Sequence, residues 1–194
     1  SDYSSQELNV IAYGSQDPVW LKALEDGQDL HSVCAELVYG EQWSNAAEDD
    51  CNYLVAKGKC NCPEHKKLRT NVKTVNFGLA YGMGPKKLAE TIEVSMTDAK
   101  ALITKYFKTF PAIKGFLDKL GEFGVKNGYI RTFKPFKRRR WFDNWYPKMY
   151  SDKGAEFGSI ERASKNTPIQ GSSADMTKLA LIYIYNRIKE DNLP

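Results

Sequence analysis

Two cations and two aromatic residues recur every four positions along one stretch of the chain: Arg69, Lys73, Phe77 and Tyr81. A step of four residues turns an α-helix by about 400°, so these side chains would form one slowly turning face roughly 18 Å long. Cations bind phosphate oxygens, and aromatic rings stack on planar groups. The pattern predicts a site for a ligand with a polyphosphate at one end and a base at the other, as in a nucleoside triphosphate.

The spacing alone also fits a simpler interpretation, in which the two aromatic residues belong to the core and the two cations to a solvated edge. Gly78 favours the ligand site, because a glycine inside a helix costs about 1 kcal/mol relative to alanine and allows a close approach to the backbone. Gly82 permits the helix to end where the phenol of Tyr81 points outward. Gly78 is therefore a candidate substrate-binding residue.

Three cysteines and a histidine form a second cluster, with Cys51, Cys60, Cys62 and His65 close together in the sequence. The chain has four cysteines in all, and without a secretory signal they do not indicate a disulfide framework. The first two cysteines lack the short spacing of most zinc sites. Two interpretations stay open: a Zn²⁺ site, or a polar loop whose thiols bind nothing.

The composition excludes a membrane protein and indicates a soluble globular one, with 42% hydrophobic and 27% charged residues. No apolar run approaches the roughly 20 residues that span a bilayer. The net charge is only +4, but Lys and Arg concentrate at 65–73 and 131–140, which favours local phosphate contacts. We expect a cytoplasmic protein from a bacterium or a phage-infected cell.

Helical spacing of apolar residues dominates the chain, with a little strand, so the expected fold class is α+β and predominantly α-helical. Residues 3–13 read as a strand end leading into a short helix, 39–64 as a loop or frayed helix, and 129–141 as a hairpin or extended arm. Asp29 is a candidate helix cap. Helices are predicted at 19–24, 30–39, 65–81, 85–91, 96–106, 111–126, 159–165 and 170–190, the last with Leu179, Ile182, Ile184 and Ile188 on its buried side.

Three segments resemble motifs of the family A DNA polymerases. Residues 69–82, RTNVKTVNFGLAYG, resemble the fingers-helix motif. Residues 2–8, DYSSQEL, followed by DLH at 29–31, resemble the first palm motif, and RASKNTPIQGSSAD at 162–175 resembles the segment before the last palm motif. The resemblance implies the fingers and partial palm of a right-hand polymerase fold. It assigns 1–40 to the first palm motif and following helices, 41–130 to the fingers, and 131–194 to a basic hairpin and palm helices.

The implied activity is that of a DNA-directed DNA polymerase, which joins a primer 3′-hydroxyl to the α-phosphate of a deoxynucleoside triphosphate. Its partners would be primer-template DNA, dNTPs and Mg²⁺ in a two-metal site. By resemblance, Asp2 and the backbone carbonyl of Tyr3 would hold the metal, which suits the preference of Mg²⁺ for hard oxygen ligands. Arg69 and Lys73 would hold the triphosphate, with Tyr81 beside them among the catalytic residues.

The resemblance also assigns residues that select the substrate. His31 would add a phosphate contact, although a histidine after an aspartate also suits the start of a helix. Phe77 would stack near the sugar and base, and it resembles the residue of family members that discriminate against dideoxynucleotides. Glu7, close to Tyr81, would block a ribose 2′-hydroxyl, which favours DNA over RNA synthesis.

Two groups of residues would contact DNA. The first lies on the predicted palm helix, where amide side chains can reach minor-groove acceptors that every base pair presents; the simpler interpretation is a capped helix start. The second is a basic stretch interleaved with aromatic residues, which suits phosphate contacts but also a solvated surface. The groups are Arg162, Asn166 and Gln170, and Arg138, Arg139 and Arg140.

The chain departs from the family pattern at Asn9, where family members carry Arg, and at its ends. The last palm motif, with the second metal-binding carboxylate, would follow Pro194. We therefore expect an incomplete two-metal site and no primer extension by this polypeptide without the remainder of the polymerase. The alternatives are a non-catalytic DNA- or nucleotide-binding module, a single-subunit RNA polymerase relative, against which Glu7 and Phe77 argue, and a small zinc-stabilised interaction domain.

Overall fold

The computed structural model describes residues 3, 5–48, 51 and 60–191. It divides the chain into two compact units, which are described separately. Unit 1 consists of Ser1–Ile11 with Asp118–Pro194, and unit 2 of Ala12–Leu117. Asp2, the predicted metal ligand, lies outside the described residues.

Helices make up unit 2, and local signals set most of their ends. Asp17 caps the N-terminus of α2 by accepting hydrogen bonds from two backbone N–H groups, and Asp29 and Ser95 cap α3 and α7 by accepting one each. The predicted cap at Asp29 is confirmed. The helices are α1 (Gln6–Ser15), α2 (Pro18–Glu25), α3 (Leu30–Tyr39), α4 (Glu41–Ser44), α5 (Pro63–Ala80), α6 (Pro85–Ile92), α7 (Met96–Thr109) and α8 (Pro111–Asn127), of which α1 and α8 continue into unit 1.

The packing of unit 2 centres on α3 and α5. Helix α3 packs against α5, α5 against α6, and α6 against α7. Aromatic side chains fill the core: the ring of Phe110 makes edge-on contacts with Trp20 and Tyr106 at centroid distances of 6.2 and 5.0 Å. This core positions α5, which carries the predicted ligand face.

Two predictions in the first third of the chain are wrong in part. The segment expected to be a loop, or a frayed helix around 46–56, contains helix α4 ahead of that range, and its residue Trp43 is buried. A buried indole stabilises a short helix that its polar neighbours do not suggest. At the start of the chain Tyr3 lies outside any strand and is 53% exposed, since a strand needs a partner that adjacent residues cannot reveal.

Unit 1 combines a small hairpin with a long helix. Strands β1 (Tyr129–Arg131) and β2 (Arg139–Trp141) pair antiparallel, so the predicted hairpin is confirmed. Helices α9 (Met149–Asp152) and α10 (Phe157–Glu190) follow. Three buried side chains, Val125, Met149 and Ile160, form the centre of the core. Aromatic residues pack around that centre: Phe142, Trp145 and Phe157.

Helix α10 corrects the prediction of two helices at 159–165 and 170–190, because it is continuous over 34 residues with Pro168 inside. The proline removes one backbone hydrogen bond, but Pro168 and Ile169 are both buried, and this packing stabilises the helix through the break. The expected burial of the apolar side of this helix is also largely wrong, since Ile182, Ile184 and Ile188 are exposed and only Leu179 is half-buried. Periodicity shows which side chains share a face, not what covers that face.

The described part of the chain contains no helix that is both long and apolar enough to cross a membrane. The longest, α10, is interrupted by polar and charged residues throughout its first half. Its apolar residues gather in the second half, where they are separated by lysine, tyrosine, asparagine and arginine.

Candidate functional site

Helix α5 carries three of the four residues of the predicted ligand face, and the fourth, Tyr81, is its C-terminal cap. Lys73 is exposed, whereas Arg69, Phe77 and Tyr81 are half-buried. The helix starts at Pro63, whose fixed backbone suits a first helical position, and Gly82 adopts a positive φ of 76° just after the cap. Local sequence signals therefore define both ends of the helix that carries this face.

A row of three rings lies along this face. The rings of Phe77 and Tyr81 stack with centroids 6.2 Å apart and planes 28° apart. The imidazole of His31, from α3, lies 5.6 Å from Phe77 at a tilt of 55°. The α3–α5 packing thus adds an imidazole to the two aromatic side chains that the helix spacing predicted.

Arg69 is engaged by an acidic partner from α3. Its Nε and Nη2 donate to the two carboxylate oxygens of Asp29 at 2.7 and 2.8 Å, a bidentate pair. Asp29 also accepts from the backbone N–H and the hydroxyl of Ser32. Burial raises the pKa of Asp29, but its bonds to Arg69 and Ser32 outweigh burial and lower the pKa below its usual value. The sequence identified Asp29 as a cap and missed this second role.

Lys73 is the exposed cation of the α5 face. In the part of the chain that the structure describes, it makes no ion pair. The charge of Arg69 is largely compensated by Asp29, one helical turn before Lys73. Lys73 is therefore the residue of this face best placed to attract an anion from solvent.

His31 is neutral at pH 7, which changes the chemistry of its expected phosphate contact. It is 4% exposed, and burial lowers its pKa to about 4, with Arg69 and Lys73 adding to the effect and Asp29 opposing it. Asn76 Nδ2 lies 3.0 Å from His31 Nδ1, and an amide nitrogen can only donate. The neutral imidazole therefore carries its hydrogen on Nε2, where it can donate a hydrogen bond but supplies no charge.

Gly78 allows a close contact between α5 and the turn that follows it. A Cβ at this position would lie 2.8 Å from the sulfur of Met83, and the Met83 N–H donates to the Gly78 carbonyl at 2.7 Å. The close approach that Gly78 suggested is therefore made by the turn after α5. Its predicted part in substrate binding stays a prediction.

The basic hairpin of unit 1 is attached to α10. Arg138 pairs with the buried carboxylate of Asp175, with Nη2 and Oδ1 3.0 Å apart, and Arg140 Nη1 donates to the Thr167 hydroxyl at 2.9 Å. Arg139 lies over the rings of Tyr129 and Trp141, 4.5 and 4.7 Å from their centroids. All three arginines remain exposed. The sequence identified the arginines but not their contacts with Asp175 and Thr167, which lie 37 and 27 positions away, or with Tyr129 on the facing strand.

The three predicted DNA-contacting residues of α10 lie at intervals of four on the helix. Arg162 and Gln170 are exposed and Asn166 is half-buried. The side-chain oxygen of Asn166 is buried without a hydrogen-bond partner among the described residues. A buried polar atom of this kind costs free energy unless a ligand or water satisfies it.

Two further predicted residues belong to the start of the chain. Tyr3 is exposed, and Glu7 lies half-buried in the first turn of α1. Glu7 belongs to unit 1 and Tyr81 to unit 2. Their expected proximity, and the metal-binding role of Asp2 and Tyr3, stay predictions.

The cysteine–histidine cluster is brought together in space. One potential ligand atom from each of Cys51, Cys60, Cys62 and His65 lies within 4.8 Å of all the others. Cys60, Cys62 and His65 are buried, and Cys51 is half-buried. The four residues could hold a metal ion.

The chain is similar along its whole length to polymerases of known sequence. The model of DNA polymerase family A matches residues 1–194. DNA polymerase I of Caldicellulosiruptor bescii is 34% identical over 193 residues, which is 100% of this chain and 20% of that protein. The enzyme of Streptococcus pneumoniae (strain R6) is 35% identical over 185 residues, covering 95% of this chain and 18% of that protein. The chain thus spans about a fifth of the length of these relatives.

A solved structure matches as well. The POL domain of Pol1 from M. smegmatis, in complex with DNA primer-template and dNTP, has a TM-score of 0.77 and 31% identity, and the match covers 99% of this chain and 30% of that one. These relatives are bacterial, and the expected phage origin stays a prediction. The mostly helical fold with a small antiparallel sheet agrees with the expected fold class. The chain belongs to DNA polymerase family A.

Proposed function

We propose that this chain supplies the fingers and part of the palm of a DNA-directed DNA polymerase, and that α5 binds the incoming dNTP. The observation that carries the proposal is the α5 face itself: an exposed Lys73 followed by the stacked rings of Phe77 and Tyr81. Family membership over the whole chain supports the same assignment. The fingers would lie within 41–130, with the first palm motif in 1–40 and the basic hairpin and palm helices in 131–194.

In this proposal the two cations of α5 have different roles. Lys73 binds the triphosphate and offsets negative charge as pyrophosphate leaves. Arg69 contributes a further N–H donor while its pair with Asp29 holds its guanidinium in place. His31 donates a neutral hydrogen bond from Nε2 to a phosphate oxygen.

The aromatic residues bind the nucleoside. Phe77, held between His31 and Tyr81, stacks near the sugar and base and discriminates against dideoxynucleotides. Glu7 excludes a ribose 2′-hydroxyl, so the substrate is a dNTP and not an rNTP. Gly78 has no side chain, so Met83 packs directly against the helix backbone at this point.

Magnesium would be held by Asp2 and the backbone carbonyl of Tyr3. A carboxylate and a carbonyl are oxygen donors of the type that Mg²⁺ prefers, so the donor set fits. When bound, the metal lowers the cost of charge on the phosphate oxygens. Asp2 and Tyr3 supply only part of a two-metal site.

The primer-template DNA would contact unit 1. The exposed arginines of the hairpin suit the phosphate backbone, and they are held in position by Asp175, Thr167 and the ring of Tyr129. Along α10 the unsatisfied oxygen of Asn166 provides an acceptor for a ligand. The DNA-binding residues in the proposal are Arg138, Arg139, Arg140, Arg162, Asn166 and Gln170.

Equilibrium binding of a labelled dNTP, with Mg²⁺ and primer-template DNA, tests the proposal on this chain and on Lys73→Ala. We expect the variant to bind at least tenfold more weakly, about 1.4 kcal/mol. Lys67→Ala is the matched control, because Lys67 is an exposed lysine of the same helix that points about 120° away around the axis.

The control should bind the dNTP as the unchanged chain does. Circular dichroism shows whether each variant is folded. Equal binding by Lys73→Ala and the unchanged chain would contradict the proposal. So would an absence of dNTP binding by the folded chain.

A further inference from the structure

The cluster of Cys51, Cys60, Cys62 and His65 lies apart from the proposed nucleotide face and has no part in it. His65 is 1% exposed, and Cys60 and Cys62 are 5% and 2% exposed. Two buried thiols, the half-buried thiol of Cys51 and a buried imidazole therefore converge on one point. Three cysteines and one histidine are a ligand set of structural zinc sites in proteins.

The distances suit a tetrahedral ion. With zinc–sulfur and zinc–nitrogen bonds of about 2.3 and 2.0 Å, ligand atoms on a tetrahedron lie about 3.5–3.8 Å apart. His65 Nδ1 lies 3.2 Å from Cys51 Sγ and 3.7 Å from Cys60 Sγ. All four ligand atoms fall within 4.8 Å of one another. Adjustments of about 1 Å or less would therefore complete the coordination.

His65 is oriented as a ligand by its other ring nitrogen. Nε2 lies 2.7 Å from the backbone carbonyl oxygen of Trp43, and a carbonyl can only accept. Nε2 therefore carries the hydrogen, and the lone pair of Nδ1 faces the thiols. The Trp43 ring stacks on the imidazole at 4.1 Å and holds its plane. A metal-binding histidine usually donates its other ring N–H to a carboxylate, a backbone carbonyl or water.

The sulfur of Cys62 also accepts a hydrogen bond from the backbone. The backbone N–H of Glu48 donates to Cys62 Sγ at 3.4 Å, a contact that favours negative charge on sulfur. Thiolate ligands select soft or borderline metals, whereas Mg²⁺ prefers oxygen. Four protein ligands leave no open position, as in structural zinc sites.

We propose that Cys51, Cys60, Cys62 and His65 bind one structural Zn²⁺ ion. Cys60 and Cys62 immediately precede α5, and His65 lies in its first turn. Cys51 comes from the segment after α4. The ion would tie that segment to the start of α5, one turn before Arg69.

The test is the metal content of this chain, purified without chelators and measured by mass spectrometry. We expect one zinc per chain. Replacement by Co²⁺ should give the visible absorption of a tetrahedral thiolate site. Cys62→Ser should bind zinc at least about 100-fold more weakly, since loss of an outer partner alone typically costs 10–100-fold.

Cys34→Ala is the matched control, because Cys34 is the fourth cysteine of the chain, buried on α3 and outside the cluster. It should keep zinc and the cobalt spectrum. If Cys62→Ser does not fold, the cobalt titration of the unchanged chain still tests whether the metal site forms. None of these readouts depends on nucleotide binding, so they separate this proposal from the proposed function.

Three results would overturn the proposal. The first is no uptake of Zn²⁺ or Co²⁺ by the folded, reduced chain. The second is equal zinc affinity in Cys62→Ser and the unchanged chain. The third is bound iron with the absorption of an iron–sulfur cluster in place of zinc.

Discussion

The two parts of helix α5 present their side chains in opposite ways. In its first turn His65 is buried and faces a closed set of thiols. Two turns further, Lys73 is exposed and precedes the half-buried rings of Phe77 and Tyr81. A closed set of ligands suits an ion that stays, and an open face suits a substrate that enters and leaves. The same helix therefore combines a proposed anchor with a proposed binding surface.

Removal of the metal should have the largest effect on stability. At zinc concentrations 1,000 times its Kd the ion would stabilise the folded chain by about 4 kcal/mol, whereas a dNTP at ten times its Kd would add only about 1.4 kcal/mol. Urea unfolding in zinc buffer and in chelator measures the first value. The Cys34→Ala chain should lose as much stability in chelator as the unchanged chain does. If neither chain loses stability in chelator, the proposed stabilisation by the metal ion is wrong.

Breaking the Asp29–Arg69 pair should come next. Asp29→Asn keeps a capping side chain but leaves the guanidinium, whose side chain is 23% exposed, without its charge partner. We expect a loss of about 3 kcal/mol in the free energy of unfolding. Urea unfolding measures it, and Lys73→Ala, which removes an exposed charge, should change stability by less than about 0.5 kcal/mol. Similar losses in both variants would show that the two cations do not differ as the structure indicates.

Acid should destabilise the chain through His31. Its pKa is about 4 in the folded chain, against about 6.5 in the unfolded chain. The unfolded state therefore binds more protons between these values, and stability falls as the pH drops from about 7 towards 4. The loss at pH 5 should be about 2 kcal/mol.

His31→Gln isolates this effect. Unfolding of the variant should depend less on pH over this range, because glutamine does not titrate. The cysteine–histidine cluster is unchanged in both chains, so its own response to acid cancels in the comparison. Identical pH dependence in the two chains would contradict the burial of a neutral His31.

Loss of one ring should have the smallest effect. Phe77→Leu removes the contacts with His31 and Tyr81 but keeps an apolar side chain. We expect dNTP binding to weaken about fivefold, or about 1 kcal/mol. Phe107→Leu, on α7 and also half-buried, is the control and should leave the binding unchanged. Equal effects in an equilibrium binding measurement would mean that the ring row does not contact the nucleotide.

Much of α5 could be predicted because its signals are local. The four-residue spacing and the glycine after its end both act within a few turns of the chain. The same holds for the cap at Asp29 and for the hairpin at 129–141. These features depend on backbone geometry and on neighbouring side chains, which the sequence states directly.

The continuation of α10 through Pro168 could not be predicted in this way. A proline normally ends or bends a helix, and only the packing of the flanking residues overcomes it. Helix α4 is a second example, because the burial of Trp43 stabilises a helix that its polar neighbours do not suggest. In both places tertiary contacts outweigh local preference.

The sequence by itself determined the residue types of the site, their helical spacing and the family to which they belong. Only the tertiary structure decided their chemical states. Asp29 meets Arg69 across 40 positions, and Trp43 orients His65 across 22. Burial between α3 and α5 makes His31 neutral. Charge, tautomer and pairing depend on distance and solvent access, and the fold sets both.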